Sequence, residues 1–173
     1  MKFKHVAALA LILTLCSSAF AASGKFYRFK GRLYRVFEHN LTWYDAKIRC
    51  EEMGGHLATI TSRAENNFIV SICQNRRFYW LGGFRLNDGY GWAWVTGEPF
   101  RYTNWSPGEP NDADYGEPYL QITNYHTGRW GWNDHNDNFW PSRSLYGFIC
   151  EWDDDSSRTL SNAEETVNYY YGR

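Results

Sequence analysis

The chain has 173 residues, 43% of them hydrophobic and 19% aromatic, with 18 Lys and Arg set against 19 Asp and Glu. A charge balance of this kind offers no basic face for nucleic acid, and beyond the first residues no run is apolar enough to span a membrane. Three cysteines after the leader, Cys50, Cys73 and Cys150, are an odd set, in which export would form one disulfide and leave one thiol.

Residues 1–21 read as an export signal. Lys2 and Lys4 precede an apolar run from Val6 to Cys16, and Ala19-Phe20-Ala21 forms a small-residue cleavage site. The expected location is therefore extracellular, or periplasmic in a bacterial source. Cys16 follows Leu15, where a lipid-attachment signal wants a small side chain, so a lipid anchor is set aside. Loss of the leader removes two of the 18 basic residues and leaves a net charge near −3, all of it carried after Trp152.

Phe26 to Phe37 alternate aromatic and basic residues around Lys30-Gly31, the pattern of a hairpin. Thr42-Trp43-Tyr44-Asp45 is a capping box for a helix whose inner face would be Trp43, Ala46, Cys50 and Met53, stopped by Gly54-Gly55. Ser62-Arg63-Ala64-Glu65 opens a second helix, with Ala64, Phe68 and Ile72 expected on its apolar side. Short aromatic and β-branched runs follow as strands: Phe78 to Leu81, Gly91 to Val95, Tyr119 to Thr123, Arg129 to Trp132 and Tyr146 to Trp152. Two helices followed by an antiparallel sheet make an α+β class, in one domain spanning residues 26–152. Residues 153–173 are polar and acidic, and are expected to form an extension of low intrinsic order. Cys50 and Cys150 would close a loop of about 100 residues, worth roughly 4 to 5 kcal/mol in a chain-entropy view. Cys73 is then a buried free thiol.

Between two strands lies Ser106-Pro107-Gly108-Glu109-Pro110-Asn111-Asp112-Ala113-Asp114-Tyr115-Gly116-Glu117-Pro118, which holds four carboxylates and no Lys or Arg. Anions crowded in this way repel one another unless a cation gathers them. A donor set made only of oxygen, with carboxylates and amides mixed, favours calcium. Asn133-Asp134 would complete the shell from a neighbouring strand.

The ordered pieces resemble a C-type lectin-like domain. The resemblance rests on Ala46-Lys47 through Cys50, Gly54-Gly55-His56-Leu57-Ala58-Thr59-Ile60, Tyr79-Trp80-Leu81-Gly82-Gly83, Glu109-Pro110-Asn111, Trp132-Asn133-Asp134 and Phe148-Ile149-Cys150-Glu151. It implies one calcium ion held by Glu109, Asn111, Glu117, Asn133 and Asp134, the last also through its carbonyl, with a cis peptide before Pro110. Glu109, Asn111, Glu117 and Asn133 would in turn meet vicinal sugar hydroxyls, in the version that selects mannose, glucose, N-acetylglucosamine or fucose. Glycans or glycoproteins are the implied partners, with oligomerisation as a route to avidity.

The resemblance has gaps. The family's inner disulfide is replaced by Tyr119 and Asp137, and its auxiliary calcium site is incomplete, because Arg85, Gly89 and Pro118 stand where carboxylates are expected and only Asp112 remains. His126 and His135 flank the site and read as surface or wall residues, not zinc ligands or bases. Tyr115 and Trp140 could stack on a sugar or pack locally. Asn40-Leu41-Thr42 and Asn104-Trp105-Ser106 are glycosylation sequons if the source uses them. The alternative function is a protein-binding or adhesive module using Asn138-Phe139-Trp140. A glycosidase built on Glu109 and Glu117 ranks last, since the ion would occupy both.

Overall fold

The computed structural model describes residues 25–172 except 76, 88, 90, 114, 115, 126 and 138–145. The export signal thus lies outside the described residues.

The chain enters through a hairpin of β1 (Tyr27–Phe29) and β2 (Arg32–Phe37), turned by Lys30 and Gly31, both with positive φ. That conformation is why a glycine sits in the turn. Helix α1 (Trp43–Glu52) starts at Thr42, whose hydroxyl accepts from the Asp45 amide at 2.9 Å. After the short β3 (His56–Leu57), α2 (Arg63–Ile72) is capped in the same way by Ser62. β4 (Phe78–Arg85), β5 (Trp92–Trp94), β6 (Tyr119–Thr123), β7 (Gly131–His135) and β8 (Tyr146–Trp152) follow, and α3 (Ser157–Tyr171) ends the chain.

The sheet runs β1-β2-β8-β4-β6-β7, with β3 on β8 and β5 on β4. The fold is α+β as expected, but the sheet is mixed. β4 and β8 pair in parallel, Tyr79 opposite Gly147, while the other pairings are antiparallel. β4 and β8 come from distant parts of the chain, with β5, β6 and β7 between them, so no short turn sets their relative direction.

Apolar layers cover both faces of the central strands. Phe78 and Trp80 of β4, with Phe148, Cys150 and Trp152 of β8, point to one layer, closed by Trp43, Ala46 and Cys50 of α1. Tyr79, Leu81 and Ile149, the intervening residues, point to the other, with Ile69, Trp94, Leu120, Ile122 and Trp132. The strand period of two thus sorts each strand between two cores.

The inner face of α2 differs from the expected one. Glu65, Asn66 and Ile69 are buried, Phe68 and Ile72 are half-buried, and Ala64 is exposed. The reason is hydrogen bonding: Glu65 accepts from Tyr34 Oη at 2.9 Å and from the Thr61 amide at 2.7 Å. The fully buried Glu151 beside it takes Arg32 Nη1 at 2.6 Å and the Thr59 amide at 2.9 Å. Satisfied in this way, a buried carboxylate is tolerated inside a core.

The tail also departs from expectation. Ser157–Tyr171 form a helix capped by Ser156, with Ala163 and Val167 buried in the first layer and Leu160, Tyr170 and Tyr171 packed against it. The Arg49 guanidinium lies 4.2 Å over the Tyr170 ring, and His39 stacks on Tyr171 at 4.2 Å. Spacings of three, four and three from Leu160 to Tyr170 make one helical stripe, which the polar composition around it conceals. Cys50 and Cys150 meet in that layer as thiols in hydrogen-bond contact; the disulfide expected there is not formed in this structure. Cys73 stands just past α2, half-buried, with burial raising its thiol pKa.

Val167→Asp should undock α3, because it puts an unpaired charge into the layer. A loss of about 3 kcal/mol or more is expected in denaturant unfolding, together with a fall in helical circular dichroism.

Candidate functional site

The platform for the long acidic loop is Trp132, on the edge strand β7. Its indole N–H donates to Asn66 Oδ1 at 3.0 Å, which ties β7 to α2. Around its ring stand Trp94, Phe100, Tyr102 and Trp105, edge-on, with centroids between 5.7 and 6.0 Å away. The chain entering the loop is laid along this strand: Trp132 N donates to Asn104 O and Ser106 N to Trp132 O, both at 2.8 Å. A Cβ on Gly131 would fall 2.3 Å from Ser106 Oγ and 3.2 Å from its Cα, so any larger residue would have to push Ser106 aside.

One residue along, Asp134 is fully buried. Its Oδ1 accepts from the Asn111 amide at 3.0 Å, and its Oδ2 from the Asp112 amide at 2.9 Å and from Arg85 Nη2 at 2.6 Å. The Ala113 amide donates to Asn111 Oδ1 at 2.8 Å and to Glu117 Oε2 at 2.9 Å. Asp112 Oδ1 accepts from the Glu117 amide at 3.0 Å, and the Asn133 side-chain amide donates to the carbonyl oxygen of Asp134. Glu109, joined to Pro110 by a cis peptide, touches the Asp134 carboxylate. The structure therefore brings Glu109, Asn111, Glu117, Asn133 and Asp134 together where loop and strand meet.

The electrostatics are those of a site short of positive charge. Burial, then contact with Asp134 and the nearby Glu117, push the Glu109 carboxyl up to about 7. Glu109 Oε2 is buried with no hydrogen-bond partner among the described residues. Among the described residues, the Arg85 guanidinium lies 2.6 Å from Asp134 Oδ2 and 3.7 Å from Asp112 Oδ1. An orphaned carboxylate oxygen, three further carboxylates and two amide oxygens fit a hard divalent cation of the calcium type. An ion there would have to share the Asp134 carboxylate with Arg85 Nη2, 2.6 Å from its Oδ2. Among the described residues, the only group of three His, Cys, Asp or Glu ligand atoms within 4.8 Å of one another is His56, Glu151 and Asp153. There Arg32 already supplies the cation, 2.6 Å from Glu151.

At the positions of the absent inner disulfide, Tyr119 stacks on Trp43 at 4.5 Å and Asp137 Oδ1 accepts from the Trp43 amide at the start of α1. An aromatic pair and a helix-terminal carboxylate take over the tie. His135 Nδ1 donates to the Asn136 carbonyl, 2.8 Å away, and the ring packs edge-on to Trp80, as a wall residue would. His126, Tyr115, Asn138, Phe139 and Trp140 lie outside the described residues. Asn66 was not visible as a site-supporting residue. A polar residue on the helix face turned toward the core is the signal that could have found it.

A family model for the lectin C-type domain matches residues 39–152. The chain belongs to the C-type lectin domain family. Chicken hepatic lectin is 36% identical over 133 residues, 76% of this chain and 59% of its own length. The carbohydrate-recognition domain of cow CD23, solved in the presence of a GlcNAc2Man3 oligosaccharide, has 29% identity and a TM-score of 0.64, covering 79% of this chain and 95% of that one. A calcium-independent type II antifreeze protein has 26% identity and a TM-score of 0.62, covering 73% of this chain and 90% of that one. The matched part spans 59% of the chicken protein and 54% of human C-type lectin domain family 4 member D, and about a quarter to a third of several other curated relatives.

The raised Glu109 pKa has a stability consequence in the metal-free domain. A carboxyl that holds its proton more tightly when folded than when unfolded favours the fold at low pH, and this contribution is lost as pH rises through about 7. In chelator, Glu109→Gln should therefore melt higher than wild type at pH 7.5, and the difference should shrink toward pH 5 in thermal scans.

Proposed function

We propose that the chain is an exported, calcium-dependent carbohydrate-binding domain. In this reading Glu109, Asn111, Glu117, Asn133 and Asp134 hold a single calcium ion and select sugars with the hydroxyl arrangement of mannose, glucose, N-acetylglucosamine or fucose. The observation that carries the reading is the convergence of these five residues, from a loop and a separate strand, around the buried Asp134 carboxylate, with the unpartnered Glu109 oxygen beside it. Calcium, when bound, would supply open coordination positions for two vicinal hydroxyls. The side chains do the discriminating: the amides of Asn111 and Asn133 donate to sugar oxygens, and the carboxylates of Glu109 and Glu117 accept from the hydroxyl protons.

Glycans or glycoproteins are the partners in this reading. A shallow polar site binds one sugar weakly, so useful avidity requires several copies on one assembly or surface. Among the described residues no helix is long and apolar enough to cross a membrane. In an oxidising compartment Cys50 and Cys150 would pair. The domain proper is taken as residues 26–152.

A glycan array run in calcium and again in chelator tests the proposal. Mannose-type glycans should bind only in calcium, and Glu109→Ala should lose both the calcium heat in calorimetry and the glycan signal by at least about tenfold. Lowering the pH from 7 to 5.5 should weaken calcium binding by about tenfold, because Glu109 must give up its proton to serve as a ligand. Calcium-independent binding to a protein partner, unmoved by mannose, would instead support the adhesive reading.

A further inference from the structure

Arg85 stands at the end of β4, where the family resemblance leads one to expect a carboxylate. Its guanidinium is fixed from several sides. Nη2 lies 2.6 Å from Asp134 Oδ2 and 3.7 Å from Asp112 Oδ1, Nη1 donates to Gly89 O at 3.2 Å, and the group sits 5.0 Å over the Trp92 ring. The Arg85 amide also donates to Pro118 O at 2.7 Å, which ties the strand to the loop's exit. The side chain is only 15% exposed, so its charge acts in a partly desolvated setting where attraction to carboxylates is stronger than in water.

These contacts form a continuous support. Arg85 neutralises Asp134; Asp134 receives the Asn111 and Asp112 amides; Asp112 receives the Glu117 amide. Asp112 itself has φ of 49°, in the left-handed region, a conformation that persists only where neighbours hold it. Without a positive charge at this point, Asp112 and Asp134 would repel, and the amides hung on Asp134 would lose the carboxylate geometry they depend on.

We propose that Arg85 is a resident cation that holds Asn111, Asp112 and Glu117 in their binding positions in the absence of calcium, so that the ion is needed for ligand binding and not for placing these residues. Arg85 is thus a positioning residue, acting through Asp134. The inference deepens the calcium-site reading, yet its decisive test is made in chelator and does not need the ion.

Amide hydrogen exchange read residue by residue in chelator is that test. In wild type, the Asn111 and Asp112 amides should exchange at least about tenfold more slowly than unstructured peptide. Arg85→Gln should abolish that protection while Leu120 and Ile122 in β6 keep theirs, and Arg85→Lys should retain part of it. Asp134→Asn should expose the same two amides, and adding Arg85→Gln to it should cause no further loss, as expected if one acts through the other. Unprotected Asn111 and Asp112 in wild type, unchanged protection in Arg85→Gln, or a loss spread equally through β6 would each overturn the proposal. Should Arg85→Gln fail to fold, the wild-type and Arg85→Lys patterns still decide it. Calcium calorimetry on wild type is run alongside: absence of heat would end the calcium reading and leave the exchange result standing.

Discussion

A single carboxylate with no access to water, that of Asp134, organises the functional end of the molecule. An ionised group so placed needs compensation from the protein, and here it receives one guanidinium and two backbone amides. Those donors come from two separate stretches of backbone: Arg85 closes a strand, while Asn111 and Asp112 lie in irregular chain. Satisfying one buried charge therefore fixes where a long loop runs over the sheet edge. Among the described residues, Glu117 is linked to it through Asp112, and Glu109 beside it keeps an oxygen without a hydrogen-bond partner.

The same use of buried polarity recurs at the other end of the chain of support. α2 turns two polar side chains inward. Glu65 meets Tyr34 and the amide of Thr61, and Asn66 meets the indole of Trp132. The first contact locks the helix to the entry hairpin, the second to the strand beneath the loop. Apolar packing alone would let a helix rotate or slide by a residue at modest cost; directional hydrogen bonds admit one placement. Trp132 thus joins the second core to the site, with Asn66 on one side of it and Ser106 on the other.

Most of the architecture was legible in residue order, for reasons that can be named. Thr42 and Ser62 announce helix starts through their spacing to Asp45 and Glu65, and both caps are present. The five oxygen-bearing residues were legible as a set because a loop dense in carboxylates demands a counter-charge, and they do come together. Other features were hidden for equally physical reasons. The stripe of Leu160, Ala163, Val167 and Tyr170 is thin and set among Ser, Asn and Glu, so composition outweighed periodicity. The inward Glu65 and Asn66 look solvent-facing to any pattern based on polarity. Direction in the β4–β8 pairing depends on a chain path that local signals do not encode. Arg85 read as a missing ligand, since a sequence shows the identity of a charge and not what it faces.

The order of strands places the entry hairpin at one border of the sheet and β7, with its acidic loop, at the other. α3 packs by Tyr170 and Tyr171 near Phe37 and His39, on the hairpin's side. A neighbouring module, a bead surface or a second copy fastened beyond Tyr171 would accordingly leave the opposite rim unobstructed.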